Sequence, residues 1–175
     1  FGTSVSASRL VAGERPPHRS LERKIADFLG TEDALVLVSG YLTNVTIISH
    51  LMSAGDLILY DSYSHDCILK GVRASGATRQ AFPHNDMDVL EERLSRIRRS
   101  FGRVLVVVEG VYSMDGDFPD LARLVELRDK YNFWLLIDEA HSLGTMGQTG
   151  RGLGEHYGVA RHQVDLWTGT LSKAL

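Results

Sequence analysis

The sequence predicts an α/β protein, a three-layer sandwich around a mostly parallel sheet. Continuous apolar, β-branched runs such as residues 104–108 are the pattern of strands covered on both faces. Helical periodicities separate these runs at the spacing of βαβ units. The chain has 175 residues, 43% of them apolar and 23% charged, which suits one domain with a real core.

The elements follow in order. Residues 18–29 place Leu21, Ile25, Phe28 and Leu29 on one helical stripe, with Gly30 as a stop. Residues 34–38 are a short apolar run suited to a buried strand; Ser39-Gly40-Tyr41 breaks it, and residues 42–52 read as a helix. Residues 57–60 are strand-like, 64–74 helical, and 78–82 a weaker strand. Met87, Leu90, Leu94 and Ile97 recur at helical spacing behind Asp86, a good N-cap. After strand 104–108, Pro119 is expected to open an amphipathic helix through Leu121, Leu124, Val125 and Leu127. Residues 133–137 and 164–167 supply two more strands.

A net charge of −3 with interspersed signs leaves no basic footprint for nucleic acid. The run Arg93, Arg96, Arg98, Arg99 falls on the polar face of a predicted helix. A single cysteine, Cys67, excludes an internal disulfide and a cysteine metal cluster and suits a reducing cytoplasm. No metal site is expected. No apolar stretch approaches the roughly 18 residues of a membrane helix. The chain opens at Phe1 and stops at Leu175, just past Lys173, so a piece of a longer polypeptide is expected.

In parallel sheets ligands bind beyond the carboxyl ends of the strands, so the residues after each strand matter most. Ser39-Gly40-Tyr41 precedes a helix whose N-terminus offers N–H groups and a positive dipole end to a phosphate. Alone, it reads first as an ordinary turn. Asp138-Glu139-Ala140-His141 puts a carboxylate at the end of a buried strand, where it needs a cationic partner such as a protonated pyridine nitrogen. A loop-capping aspartate is the alternative. The same four letters occur in helicase-type ATPases, but those require a GxxxxGK[ST] loop upstream that this sequence lacks. Thr168 to Lys173 sets hydroxyls and a glycine just before a lysine, although a lone lysine reads more often as a surface residue.

Five segments taken in order carry a resemblance. They are Ser39-Gly40-Tyr41, Asp61-Ser62-Tyr63-Ser64-His65, residues 109–117 (EGVYSMDGD), residues 138–144 (DEAHSLG) and Gly169-Thr170-Leu171-Ser172-Lys173. Together they resemble the α-oxoamine synthase family of fold-type I, class II aminotransferase-like enzymes that depend on pyridoxal 5′-phosphate (PLP). The run 138–144 with Gly150-Arg151-Gly152 is similar above all to serine palmitoyltransferase and to domains attached to polyketide synthases. The resemblance implies that residues 1–175 are a partial PLP-binding large domain of the aspartate-aminotransferase-like fold. The rest of that domain and a C-terminal domain would lie outside the chain.

The resemblance also implies roles. Lys173 would hold PLP as a Schiff base and later move the Cα proton. Asp138 would pair with the pyridine nitrogen, His141 would bond the phenolic oxygen, and His65 would cover the ring. Gly40, Tyr41 and Thr170 would bind phosphate, and Ser113 would touch the cofactor near His141. Glu109 and Asp115 would hold the loop that presents Ser113. Arg9 and His18 would face the substrate entrance. Asp66-Cys67 stands where relatives commonly have small residues. The implied reaction is a decarboxylating condensation of an amino acid with an acyl thioester of coenzyme A or an acyl carrier protein, in a homodimer. A PLP-dependent aminotransferase and a non-catalytic structural subunit are the alternatives.

Overall fold

The computed structural model describes residues 4–174. The chain divides into two compact units, one ending at Leu37 and one beginning at Val38.

In the first unit, a wide helical turn at Arg9–Gly13 precedes helix α1, Pro16–Leu29. Prolines open α1, where a missing N–H costs nothing, and Gly30 ends it at φ 71° as expected. The strand predicted over residues 34–38 does not form. A strand needs a neighbouring strand for its N–H and C=O groups, and here side chains serve Val36 instead. Its N–H donates to Glu22 Oε1 at 2.9 Å, and its carbonyl accepts from Arg9 Nη1 at 2.7 Å. Leu35 is 67% exposed, so the run is not a buried one.

The second unit opens with α2 (Gly40–Leu51), capped by the Ser39 hydroxyl. Strand β1 (Leu57–Asp61), helix α3 (Asp66–Ala74), strand β2 (Thr78–Phe82) and helix α4 (Met87–Ile97) follow. Then come β3 (Val104–Glu109), α5 (Leu121–Tyr131), β4 (Trp134–Asp138), the short α6 (Leu153–Tyr157) and β5 (Leu166–Thr168). Asp86 caps α4 as predicted, accepting from Val89 N–H at 2.9 Å. Pro119 does not open α5: the helix begins at Leu121 behind Asp120, whose carboxylate accepts from Arg123 N–H at 3.0 Å. An N-cap needs a side-chain acceptor, which proline lacks.

The five strands form one sheet in the order β2-β1-β3-β4-β5, every pair parallel. Alternate residues face opposite layers. Leu59, Val106 and Ile137 pack with Leu90, Leu94, Leu124 and Leu127 of α4 and α5. Ile58, Leu105, Val107 and Leu136 pack with Ile48 of α2 and Ile68 and Val72 of α3. Burying each such side chain is worth ~1.5–3 kcal/mol, and here it clamps both helical layers on the sheet. Parallel register brings Glu109 beside Asp138 and Asp138 beside Thr168. Polar groups thereby collect at the carboxyl edge. Among the described residues no helix is long and apolar enough to cross a membrane.

Candidate active site

The carboxyl ends of β3, β4 and β5 and the N-termini of α2 and α3 surround a cavity of about 330 Å³. Gly40, Tyr41, His65, Asp138, His141, Thr170 and Lys173 all line it, with Cys67 and Glu109 added. Residues separated by more than a hundred positions in the sequence therefore share one wall, because the parallel register stacks their strand ends.

Asp138 is 6% exposed. Its position at the end of β4 puts it on the same sheet face as Leu136, toward α2 and α3. A carboxylate buried there needs donors. Asn44 Nδ2 donates to Oδ2 at 2.6 Å, and the Ala140 N–H to Oδ1 at 2.9 Å. Sequence reasoning did not single out Asn44. Its polar side chain among the apolar residues of α2 was the one available signal.

His65 caps α3: its Nδ1 accepts from Cys67 N–H at 3.2 Å. With Nδ1 an acceptor, the ring proton sits on Nε2. The edge of the ring meets Tyr41 at a centroid distance of 6.2 Å, and Tyr41 donates to Asp66 at 2.8 Å. Glu109, expected to hold the loop bearing Ser113, donates its backbone N–H to the Tyr112 hydroxyl of that loop at 3.4 Å, and its Oε1 accepts the His65 N–H at 2.5 Å. Burial above all pushes the Glu109 carboxyl up to about 7, with the charge of Asp138 adding and the His65 N–H and Lys173 opposing. Burial likewise raises the Cys67 thiol.

Lys173 Nζ lies 2.7 Å from His141 Nε2. Burial first, and the lysine charge second, hold the His141 imidazole below its ordinary value, so it is neutral and can accept from an ammonium. The turn carrying His141 is anchored from beneath. Glu139 accepts from Ser142 Oγ at 2.7 Å and pairs with Arg161 at 3.1 Å, both carboxylate and guanidinium being buried. Thr170 Oγ1 accepts from Ser172 N–H at 3.3 Å, a local turn that sets the approach of Lys173.

Three predicted residues are not among those lining the cavity. Ser113 is exposed in the turn after β3. Arg9 and His18 belong to the first unit. There the Arg9 guanidinium is committed to Glu14 at 2.6 Å, Glu22 at 2.7 Å and the Val36 carbonyl. Hydrogen bonds from Arg9 and then from the Val36 N–H hold the Glu22 carboxyl down at about 2. His18 Nδ1 accepts from the Arg15 N–H at 3.0 Å.

The donor set fits a pyridoxal phosphate. An amine, a buried carboxylate and a flat imidazole meet at one cavity, with two hydroxyls, Thr170 and Ser172, beside the N-terminus of α2. First-turn N–H groups there have no acceptor within the helix and suit a phosphate. A Cβ on Gly40 would stand 3.1 Å from Thr170 Cβ, so glycine lets the helix end approach that segment closely.

The family described as aminotransferase class I and II matches residues 6–175. An 8-amino-7-oxononanoate synthase of Pelobacter propionicus is 45% identical over 175 residues, covering 100% of this chain and 44% of the relative. Serine palmitoyltransferase 2 of Schizosaccharomyces pombe is 40% identical over 182 residues, covering 99% of this chain and 30% of the relative. A solved serine palmitoyltransferase from S. paucimobilis, with a bound PLP–myriocin aldimine, has a TM-score of 0.94 and 38% identity, covering 99% of this chain and 43% of that one. The chain spans less than half the length of the relatives it matches. Motif order, parallel topology and this match over nearly every residue agree: the chain belongs to the aminotransferase class I and II family.

Proposed function

We propose that the protein is a PLP-dependent acyltransferase of the α-oxoamine synthase type. It condenses an amino acid with an acyl thioester, carried by coenzyme A or an acyl carrier protein, and releases carbon dioxide, the free thiol and an α-aminoketone. The observation that carries this reading is the gathering of Lys173, His141, Asp138 and His65 around one cavity at the sheet's carboxyl edge, beside the N-terminus of α2. The relatives named 8-amino-7-oxononanoate synthase and serine palmitoyltransferase support it.

When bound, PLP supplies an aldehyde for amines and an electron-poor ring that draws charge from a substrate Cα. The chain's own residues would do the rest. The carboxylate of Asp138 would serve the ring nitrogen and favour its protonated form. His65 would offer a flat face to the ring, and neutral His141 would bond the phenolic oxygen. Lys173 Nζ would hold the cofactor and move the proton at Cα. N–H groups of Gly40 and Tyr41, with the Thr170 hydroxyl, would take the phosphate. For Ser113, Arg9 and His18 the support is the resemblance alone. In this reading residues 1–175 are part of the large PLP-binding domain of a cytoplasmic homodimer.

The test is to incubate the full-length protein with glycine, alanine or serine and an acyl thioester. Thiol and carbon dioxide should appear in equal amounts with the aminoketone. A keto acid formed without either would overturn the reading in favour of transamination. Lys173→Ala should abolish turnover and the visible absorbance of covalently held cofactor; retained turnover would remove Lys173 from its role.

A further inference from the structure

Asn44 is 2% exposed, and all its polar atoms are engaged. Which end of the amide points where follows from chemistry. An ionised carboxylate can only accept, so the NH₂ end must face Asp138 Oδ2, 2.6 Å away. That leaves Oδ1 to accept from the Thr168 hydroxyl at 2.8 Å. The second amide hydrogen reaches Cys67 Sγ at 3.2 Å, and Cys67 Sγ lies 3.0 Å from His65 Nδ1. One amide on α2 thus joins β5, β4 and the start of α3. Through them it touches two walls of the cavity, the carboxylate assigned to the ring nitrogen and the histidine assigned to the ring face.

We propose that Asn44, with its amide oriented by the Thr168 hydroxyl, is the positioning residue that aims the Asp138 carboxylate at the cofactor ring. The inference rests on the PLP reading of this cavity. A short N–H···O⁻ bond of this kind fixes direction as well as adding energy. The Ala140 N–H holds the other oxygen from the chain itself. Between them the carboxylate plane is set, whereas the local N–H alone would let it swing about its Cα–Cβ and Cβ–Cγ bonds. Thr168 is itself 6% exposed, so its hydroxyl has the amide as its partner rather than water.

The test uses the full-length protein and four forms: wild type, Thr168→Val, Thr168→Ser and Asn44→Ala. Thr168→Val keeps the shape of the side chain and removes only the hydroxyl that orients the amide. The readouts are the dissociation constant for PLP from titration of the cofactor-free protein, the pH at which the visible band of bound cofactor changes, kcat and KM, and thermal unfolding. Leaving the buried amide oxygen without its donor leads us to expect PLP affinity weakened about tenfold by Thr168→Val, and more by Asn44→Ala, which also removes the bond to the carboxylate. The band's titration should move, and kcat should fall more than KM rises. Thr168→Ser should behave as wild type, because it keeps the hydroxyl.

Unaltered PLP affinity, band titration and kcat in Thr168→Val would overturn the proposal, even with a lower unfolding temperature, since packing alone would then explain Asn44. If Asn44→Ala fails to fold, the contrast between the valine and serine variants still decides. A wild type that binds PLP but does not carry out the condensation would sink the proposed reaction and leave this inference standing. A wild type that binds no PLP would sink both.

Discussion

Glu109 lies at the end of β3 with 4% of its surface exposed, facing a cavity that also holds Asp138. Its carboxyl is raised from 4.5 to about 7, mainly by burial. For an acid raised in the folded state, the associated stability is whole below the unfolded value and is lost as pH climbs toward the folded one. The loss therefore runs from pH 4.5 to about 7 and then levels off. At about 1.4 kcal/mol per pH unit, that interval is worth ~3 kcal/mol. Glu109→Gln removes the ionisation, while the amide oxygen can still accept the His65 N–H. In cofactor-free protein the variant should match wild type at the acid end of the range and exceed it by up to ~3 kcal/mol near about pH 8. Urea unfolding followed by circular dichroism across this range measures the difference directly. Two parallel curves, or a wild type more stable than the variant at the alkaline end, would refute the reasoning.

Two further outcomes are expected. His84 bridges Asp61 at 2.9 Å and Asp117 at 2.8 Å and stacks on Tyr63 at 4.1 Å. Burial alone would lower its pKa, but the two carboxylates override this and raise it above 6.5. Its stabilisation is therefore complete below 6.5 and lost as pH rises through the folded value; His84→Gln should flatten that part of the unfolding curve, and an unchanged slope would contradict the assignment. Arg161→Ala strands the buried Glu139 carboxylate and should cost ~3 kcal/mol in denaturant unfolding. Turnover should fall as well, because Glu139 anchors the turn that carries His141. A stability change within ~0.5 kcal/mol would mean the pair anchors nothing.

Local pattern made most of the secondary structure legible. Four apolar runs became strands β1, β3, β4 and β5, the weaker stretch at residues 78–82 became β2, and the periodic stretches became helices with Gly30 and Asp86 at their predicted ends. The motif residues named from sequence, Gly40, Tyr41, His65, Asp138, His141, Thr170 and Lys173, do converge on one cavity. Such features are readable because capping, periodicity and strand-end position are properties of neighbouring residues. Residues 34–38 show the limit of that reading. Their composition is that of a strand, yet Arg9 and Glu22 take the backbone groups of Val36 that a strand would have paired.

Tertiary structure alone decided the remaining features. Asn44 and Asp138 are 94 positions apart, and Thr168 is 124 from Asn44, so no local pattern could announce their contact. The raised carboxyl of Glu109 has the same origin. Burial and the neighbouring Asp138 arise only when β3 and β4 pair in register. The sequence by itself determined which residues could carry chemistry and the order in which strands and helices present them. Only the folded sheet decided which groups are buried beside one another, because desolvation and non-local hydrogen bonds exist only once the strand ends have been brought together.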